Sequence, residues 1–493
     1  EDGIRDQPRS RGLGDVYKRQ DEDRAKFLVR SHMFENAYVG KRYLRNYLYP
    51  EIFSHSIGYV GKPNEDELDD IYELKGLNQK INFTYTNQLI VGKTGLEFTY
   101  EDILTGEFGK NLREVDARGR TLGEEISIES KAGNNLYTSL DLKSHQAAHK
   151  ALNNRKGAVV AIDIKDGSIV TLFSSPTFPT NQLANGILQK DFDELLLSEE
   201  KPFFNRALKG RYPPASAIKP AIAMYGIEEG LIDWNFSIFD EGFFTLPEDG
   251  RIYRDWKEGG HGNTNLFKAI TQSSNTYFFD LAYRSDINQL NKHLLSLGFG
   301  DKACIDCFEE DKVFVPEPSW KMNKHNFGWF KGDTVNMGVG HGYLVSTPVQ
   351  LAKYAYIMAN KGKFSDLSLK KDLVKSKKSI EFNKFSNDDW FKLHESMINV
   401  IEGNTGTARR LREKKNYIVA AKTGTAELVS GDNREQYSET RLDDNLRDHA
   451  LIIAFGPMPN PRYAVSVVVE NGESGGSVAG PVAISVLNSL IQE

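Results

Sequence analysis

Three short motifs in this 493-residue chain combine the residue types that acyl transfer requires. A serine precedes a lysine by three positions at 216–219, a serine and an asparagine flank one residue at 273–275, and a Lys-Thr-Gly triplet stands at 422–424. Acyl transfer from a peptide needs an activated hydroxyl, a proton carrier for the leaving amine and donors for the oxyanion. Each motif alone is weak, but the three in this order predict an enzyme with a serine nucleophile.

Ser216 and Lys219 are the predicted nucleophile and base. Pro213 and Pro214 hold the preceding chain extended, so we expect a helix to begin near Ser216. Residues three apart share a helix face, and Pro220 is tolerated in a first turn. The sequence that follows is apolar, so the lysine should be buried and its pKa should fall. A neutral amine could then take the serine proton.

The second motif lies between two predicted helices and supplies polar groups opposite the nucleophile. Ser273 can relay a proton to the leaving group. Asn275 can hold the amide backbone of a substrate and help to fix Lys219. Both roles require the motif to lie beside the 216–219 helix.

The third motif supplies a site for a carboxylate. Lys422 and Thr423 offer a charge and a hydroxyl to a terminal carboxylate. Gly424 leaves room for a substrate along the edge of a strand, which we expect to begin just after the triplet. The main-chain N–H groups of Ser216 and Thr425 are the predicted oxyanion pair.

A second Lys-Thr-Gly triplet stands at 93–95, and neither copy fits a phosphate-binding P-loop. That loop needs a glycine five residues before the Gly-Lys pair, and the position required for the first copy holds Asn87. The second copy has Ala421 before its lysine. With no partner serine nearby, we interpret the first copy as a structural turn.

Composition excludes several classes of function. The net charge of −6 gives no basic field for nucleic acid, and we interpret the basic run at 370–379 as a solvated surface. No apolar run reaches the roughly 20 residues that span a bilayer. Cys304 and Cys307 are the only cysteines, which leaves two thiols or a local disulfide on a loop as the simplest interpretations.

The patterns divide the chain into three parts. Residues 1–20 are polar and aperiodic, and we interpret them as a non-native, adapter-derived segment. Residues 21–132 form an elongated mixed module, and 133–493 a single α+β domain. In that domain we expect a strand leading into a helix at 134–152, a hairpin at 157–178 with a Lys-Asp-Gly turn, two late strands and a last helix at about 478–491. Strands from the beginning and from the end of this domain's sequence should pair in one sheet, and helices should flank that sheet.

The chain resembles the class B penicillin-binding proteins, most closely those of the cell-elongation machinery. The resemblance runs from about residue 35 to the end and rests on blocks such as "RALKGRYPPASAIKP", "YRDWKEGGHG", "MGVGHGYLVSTPVQLA" and "AAKTGTAE". It implies a penicillin-binding transpeptidase fold, like that of serine β-lactamases, on a partial pedestal (dimerisation-type) module. It also implies D,D-transpeptidation of peptidoglycan stem peptides through an acyl-enzyme, covalent inhibition by β-lactams and no required cofactor.

The resemblance also carries expectations about location and partners. It implies the periplasmic face of the inner membrane and an N-terminal anchor that would precede this chain. It implies a partnership with a membrane glycan polymerase and no nucleic-acid ligand.

Two features depart from the family or extend it. The nucleophile block has Ala215 and Ala217 around the serine where Gly and Thr are usual, and His341 stands where glutamine is common. Some members of the subfamily carry zinc on two Asp, a His and a Cys. The matching positions are Asp240, Asp255, His261 and Ser274, of which serine is a poor ligand. The alternative is that these side chains are hydrogen-bonded structural groups.

Other functions remain open on the same scaffold. A D,D-carboxypeptidase or a β-lactamase would pass the acyl group to water, although a β-lactamase does not usually need the N-terminal module. A non-catalytic sensor or scaffold would be expected to carry decayed motifs, whereas all three motifs are intact here.

Overall fold

The computed structural model describes the N-terminal part of the chain in pieces and the remainder almost continuously. The described residues are 23, 25–30, 33, 44–68, 89–107, 110–112, 116, 126–373, 375–428 and 446–491. The predicted non-native segment 1–20 lies outside them. Within the described part of the chain, no helix combines the length and apolar character needed to cross a membrane.

The N-terminal module consists of small strand pairs and short helices. Its elements are β1 (Val60–Gly61), β2 (Val91–Gly92), α1 (Gly95–Thr99), α2 (Glu101–Leu104), β3 (Lys110–Leu112) and β4 (Ile126–Ile128). The antiparallel pairs are β1 with β2 and β3 with β4. Gly95 of the first triplet has a φ of +60°, and a Cβ there would lie 2.7 Å from the Ile57 carbonyl oxygen. This triplet is therefore a turn between β2 and α1, as predicted.

The C-terminal domain combines one large sheet, several small strand pairs and many helices. Its strands are β5 (Gly157–Asp163), β6 (Ser168–Ser175), β7 (Ser237–Asp240), β8 (Phe243–Thr245), β9 (Ile252–Arg254), β10 (Gly262–Asn265), β11 (Lys363–Ser365), β12 (Lys377–Ser379), β13 (Ala420–Ala426), β14 (His449–Gly456) and β15 (Tyr463–Val469). Its α-helices are α3 (Leu142–Leu152), α4 (Thr180–Asn185), α5 (Gln189–Leu197), α6 (Arg206–Lys209), α7 (Lys219–Glu229), α8 (Leu266–Gln272), α9 (Asn275–Arg284), α10 (Ile287–Ser296), α11 (Pro318–His325), α12 (Lys331–Gly338), α13 (Pro348–Ala359), α14 (Asn387–Glu402) and α15 (Gly480–Ile491).

The large sheet is antiparallel and has the strand order β13-β14-β15-β5-β6. The predicted hairpin is β5 and β6, whose turn contains Gly167 with a φ of +74°. The last three strands of the chain pair onto β5 through β15, so the sheet joins both ends of the domain, as expected. β13 is at the edge of the sheet and therefore pairs within it with β14 alone.

Helices cover both faces of this sheet. On one face α3 and α15 pack over side chains of the sheet such as Val159, Ile452 and Val467. On the other face α13 packs on β15 and β5, and the larger core continues into the helical insert that contains α7. Almost every residue of β5 and β14 is buried, which matches the continuous apolar runs in their sequences.

Two local expectations need correction or completion. Residues 134–141 form no strand, since only an isolated bridge joins Thr138 to Lys370 before α3 begins behind its cap Asp141. Backbone hydrogen bonds at Tyr137 and Ser139 join this stretch to residues 369–371, but the pairing is too short to form a strand. The two cysteines form a disulfide, Cys304–Cys307, with an S–S distance of 1.97 Å.

A buried ion pair ties the chain before the predicted nucleophile to the end of the sheet. Arg206 is 2% exposed, and its Nε donates to Glu470 Oε1 at 2.9 Å. The Tyr212 hydroxyl donates to the same oxygen at 2.7 Å. Glu470 follows β15, so this network fixes the segment that leads to residue 216 against the sheet.

The Arg206→Met substitution should lower the free energy of unfolding by about 3–5 kcal/mol, because it leaves the Glu470 carboxylate without its buried partner. Arg462→Met is the matched control: Arg462 also binds a carboxylate, that of Asp163 at 2.6 Å, but its side chain is 49% exposed. The control should cost about 1 kcal/mol or less. Denaturant unfolding followed by circular dichroism measures both, and equal losses would contradict the structural role given to Arg206.

Candidate active site

Ser216 lies on a turn that leads directly into a buried helix. A 3-10 turn at Ala215–Ile218 precedes α7, and Pro220 lies in the first turn of α7. Ala215 has a φ of +48°, and its N–H donates to the Gly340 carbonyl at 3.0 Å. A Cβ at Gly340 would lie 2.2 Å from the Ala215 carbonyl oxygen, so the loop at 338–342 can approach this turn only with glycine at that position. Ser216 itself is half-buried.

The amine of Lys219 is fully buried among oxygen acceptors. It donates to the Ser273 carbonyl at 2.8 Å, to Asn275 Oδ1 at 2.6 Å and more weakly to Ser273 Oγ at 3.3 Å. Burial lowers the pKa of Lys219 to about 7, against the opposing effect of the carboxylates of Asp255 and Asp240. The predicted fall in pKa and the predicted contact with Asn275 are both present.

The hydroxyl of Ser273 joins two motifs that lie far apart in sequence. Lys422 Nζ donates to Ser273 Oγ at 2.8 Å, and Lys219 Nζ lies 3.3 Å from the same oxygen. Lys422 is fully buried, and burial together with the charge of Lys219 lowers its pKa well below the usual value. Ser273 has a φ of +62° between α8 and α9, which turns both its carbonyl and its hydroxyl toward the lysines. One hydroxyl thus bridges two amines.

The second Lys-Thr-Gly triplet lies inside β13 and not before it, which corrects the sequence expectation. A Cβ at Gly424 would lie 3.2 Å from the Pro214 carbonyl oxygen and 3.4 Å from the Ala217 nitrogen, so β13 runs directly against the Ser216 turn. Thr423 is buried, and Thr425 is half-buried. The edge strand and the turn that carries the nucleophile are therefore direct neighbours.

One predicted contact is absent, and one partner was missed. Among the described residues, the Ser216 hydroxyl makes no hydrogen bond, since the donors of Lys219 are directed to the 273–275 turn. Such contacts often tighten only when a substrate binds. The missed residue is Thr407, whose hydroxyl lies 2.7 Å from that of Thr423. No spacing rule links residue 407 to the triplet, because folding alone brings the two together.

His341 has a structural role in this arrangement. Its Nδ1 lies 3.2 Å from the Val339 carbonyl, and its Nε2 accepts from the Glu427 N–H at 3.4 Å. These contacts suit a neutral ring that donates through Nδ1 and accepts through Nε2. The ring links the 338–342 loop to Glu427, directly after β13.

The four predicted metal positions come together directly behind the 273–275 turn. Asp240, Asp255 and His261 are buried, and their ligand atoms all lie within 4.8 Å of one another. Ser274 Oγ donates to Asp240 Oδ2 at 2.7 Å and accepts from the Tyr277 N–H at 3.2 Å. Its hydroxyl is thus already engaged as the N-cap of α9.

Asp255 holds the asparagine of the second motif in place. Its Oδ2 accepts from the N–H groups of Asn275 at 2.5 Å and Thr276 at 2.9 Å, and His261 Nε2 lies 3.3 Å from its Oδ1. Burial raises the pKa of Asp255, but the hydrogen bond from His261, the charge of Lys219 and the backbone donors together bring it well below its usual range. The carboxylate therefore stays charged at the start of α9, where the helix dipole favours it.

Two family descriptions match this chain. Residues 157–488 match "Penicillin binding protein transpeptidase domain", and residues 17–138 match "Penicillin-binding Protein dimerisation domain". The first match alone covers more than half of the chain and contains all three motifs.

Relatives with curated names agree with these matches. The chain is 38% identical over 464 residues to peptidoglycan D,D-transpeptidase MrdA of Acinetobacter baumannii, covering 92% of this chain and 67% of that one. It is 35% identical over 481 residues to MrdA of Haemophilus influenzae, covering 96% and 73%.

Solved structures show the same fold. Pseudomonas aeruginosa PBP2 in complex with WCK 5153 aligns with a TM-score of 0.78 at 34% identity, covering 93% of each chain. Helicobacter pylori PBP2 in complex with MreC aligns with a TM-score of 0.79 at 30% identity, covering 91% of this chain and 79% of that one. With its sheet, its N-terminal module and its three motifs in one cleft, this chain belongs to the class B penicillin-binding proteins of the PBP2 (MrdA) type.

Proposed function

We propose that this chain cross-links peptidoglycan as a serine D,D-transpeptidase and that Ser216 carries the acyl group. The observation that carries this assignment is the Ser273 hydroxyl, which bridges the two buried amines of Lys219 and Lys422 beside the Ser216 turn. The names of the MrdA relatives support the reaction. The individual residue roles rest on the geometry of the cleft.

Acylation would begin with the substrate lying along β13. The terminal carboxylate of the stem peptide meets the hydroxyls of Thr423 and Thr425, and its negative charge favours the charged form of Lys422. Ser216 Oγ attacks the carbonyl of the penultimate D-Ala, and neutral Lys219 takes the serine proton. The N–H groups of Ser216 and Thr425 stabilise the oxyanion, and a single such donor contributes roughly 10²–10³ in rate.

Breakdown of the tetrahedral intermediate requires a proton at the leaving nitrogen. The Ser273 hydroxyl can donate its proton to that nitrogen and take one from an adjacent lysine, because both amines lie within hydrogen-bonding range of it. The C–N bond breaks, the terminal D-Ala leaves and the acyl-enzyme remains. An amine from a neighbouring strand then attacks the ester, and its proton returns through Lys219 as the Ser216 hydroxyl is restored.

A β-lactam would acylate Ser216 by the same steps, and the reaction would stop at the acyl-enzyme ester. Its carboxylate occupies the β13 side, and its ring amide is opened by Ser216. The leaving nitrogen stays tethered to the acyl group, so it cannot diffuse away and an incoming amine is obstructed. Persistence of this adduct separates a transpeptidase from a β-lactamase, which would pass the acyl group to water.

We also propose a metal role for part of the buried cluster. Asp240, Asp255 and His261 suit zinc, but the Ser274 hydroxyl already donates to one carboxylate and caps α9. The set therefore fits a weak three-ligand site better than a closed four-ligand one. A bound ion would fix the position of the Asp255 carboxylate, while acyl transfer depends on the side chains of the cleft.

Location and partners extend the proposal. We propose that the chain acts on the periplasmic face of the inner membrane beside a membrane glycan polymerase. One structural neighbour, 25% identical with a TM-score of 0.77, belongs to a study of polymerization and crosslinking by a peptidoglycan synthase complex. Helicobacter pylori PBP2 has been solved with MreC. These assemblies support a partnership of the same kind here.

Incubation with benzylpenicillin should add the mass of one intact penicillin to the chain, because the opened ring stays attached. Ser216→Ala should abolish the adduct, and peptide mapping of the wild type should place it on residue 216. Ser274→Ala is the control, since it alters a neighbouring serine outside the proposed proton path, and it should still be acylated. An adduct on Ser216→Ala, or one on another residue of the wild type, would refute the assignment of the nucleophile.

The rate of acylation should depend on pH through Lys219. Its pKa is lowered to about 7, so the amine is charged and inactive as a base below that pH and neutral above it. The second-order rate constant should therefore rise about tenfold per pH unit below pH 7 and level off above it. Stopped-flow measurement with a chromogenic β-lactam gives this profile.

Asn275→Asp tests the origin of that profile. A carboxylate in place of the amide oxygen, 2.6 Å from Lys219 Nζ, favours the charged amine and should move the rising limb to higher pH. Asn275→Ala serves as the control for simple loss of the contact. If the rate constant of the aspartate variant still rises near pH 7, the pKa that governs the profile belongs to a group other than Lys219.

Ser274→Cys should convert the buried cluster into a strong zinc site, since a thiolate completes a set of two carboxylates and one imidazole. After exposure to zinc and extensive dialysis, the variant should retain about one zinc per chain by mass spectrometry, and the wild type much less. His261→Ala in the cysteine background is the control and should lose the ion. Full retention by the wild type would show that serine suffices as the fourth ligand.

A further inference from the structure

A cavity of about 230 Å³ lies between the N-terminal module and the C-terminal domain. Tyr59 and Thr94 line it from the N-terminal module, and Phe178, Phe203 and Glu309 line it from the C-terminal domain. Phe178 follows β6, which is the edge strand of the sheet opposite β13. A cavity of about 150 Å³ can hold benzene, so this one has room for an aromatic ring with a short polar arm.

Four aromatic rings form a continuous wall of this cavity. The Phe178 ring lies 5.8 Å from that of Tyr59 and 5.1 Å from that of Phe203, which in turn lies 5.8 Å from the Phe192 ring. The faces of such rings attract cations. His55 packs edge to face on Phe178, and burial lowers its pKa to about 4, so its ring adds no positive charge at neutral pH. The wall therefore suits an apolar body that carries a positive group.

Two oxygen-bearing side chains of the cavity have incomplete partners. Thr94 is the middle residue of the first Lys-Thr-Gly triplet, and its Oγ1 is buried with no hydrogen-bond partner among the described residues. The Glu309 side chain is 9% exposed, and its contacts are long: 3.4 Å to Lys209 Nζ and 3.3 Å to Asn205 Nδ2. Charge-assisted bonds to a carboxylate are usually about 2.7–2.9 Å long, so the negative charge of Glu309 is only partly compensated.

The outer wall of the cavity is α5, which contributes Phe192 and Leu196. None of the α5 residues is fully buried, and Leu196 is 58% exposed. A segment with so few buried apolar contacts opens at a low cost in free energy. A ligand can therefore enter past α5 without disturbing the large sheet.

We propose that this cavity binds a small organic ammonium ion, with its apolar body against the four rings and its charged nitrogen toward Thr94 Oγ1 and the Glu309 carboxylate. The N–H groups of the ligand donate to both oxygen-bearing side chains, and the ring faces add cation–π attraction. Lys209, whose side chain is 38% exposed, turns toward solvent when the ligand takes its place beside Glu309. The ligand contacts both modules, and the site does not depend on the acyl-transfer function.

Two probes of nearly equal size test the site. 2-Phenylethylamine is positively charged at neutral pH, whereas 2-phenylethanol has the same ring and chain with a neutral hydroxyl. In a ligand-observed NMR titration of the whole chain, the amine should bind with a Kd of about 1 mM or below, at least about fivefold tighter than the alcohol.

The Glu309→Gln substitution should weaken binding of the amine about fivefold and change that of the alcohol by less than about twofold. Binding of the alcohol thus shows that the cavity is intact in this variant. Glu194→Gln is the matched control, since Glu194 removes the same charge from α5 but its side chain is 65% exposed and lies outside the cavity lining. It should leave both affinities unchanged.

The Phe192→Trp substitution should obstruct the cavity and weaken binding of both probes. Leu197→Trp, at a position of the same helix that is 80% exposed, should leave both unchanged. Equal affinities of the wild type for the two probes would overturn the ammonium site. Binding of the amine that neither Glu309→Gln nor Phe192→Trp weakens would place it elsewhere on the chain and would overturn the site as well. Melting temperatures of all variants identify any loss of folded protein.

Discussion

Two lysine amines buried beside one serine hydroxyl impose the constraint on which the active site depends. The two amines share one oxygen and lie at most about 6 Å apart, so two positive charges there would repel by at least roughly 3 kcal/mol at an effective dielectric constant near 20. Both Lys219 and Lys422 are fully buried, and the pKa of each is lowered. The neutral form of Lys219 is therefore populated near pH 7. Lys219 can therefore act as the base. Burial lowers its pKa into the range in which histidine usually titrates, so no histidine is needed for this role.

The rest of the domain serves to keep these groups together. The 3-10 turn and α7 carry the serine and the lysine as a single unit, and Gly340 allows a second loop to support the turn from outside. The 273–275 turn is clamped from behind by Asp255 and from the rim by Trp256. The sheet contributes the third motif at its edge, where a substrate can lie beside β13 without breaking a strand pair.

The buried acidic cluster acts on the catalytic motif through the main chain. Asp255 accepts the N–H groups that begin α9, and Ser274 caps the same helix. Each bond satisfies an N–H group that a helix start would otherwise leave unpaired. The cluster thus contributes to the position of Asn275 with or without a bound ion. This explains how acidic residues outside the cleft can matter for a reaction that none of them touches.

Several features of this protein could be predicted from local patterns in its sequence. The apolar runs with a glycine turn predicted β5 and β6, the proline pair placed the start of the Ser216 turn, and the apolar sequence after Lys219 predicted its burial and lowered pKa. These features follow from interactions between residues close in sequence, which periodicity and composition report directly. The prediction of a strand directly before α3 was wrong. A strand requires a partner that is distant in sequence, and the local pattern does not specify that partner.

The tertiary structure alone decided how the distant parts meet. The bond between Lys422 and Ser273 joins residues 149 positions apart. The edge position of β13 exists only because the last strands of the chain return to β5, and the contacts of Thr407 and Trp256 follow from that closure. Motif order indicated which residue types would cooperate. Their distances and their hydrogen-bond partners depend on long-range packing, which no short stretch of sequence contains.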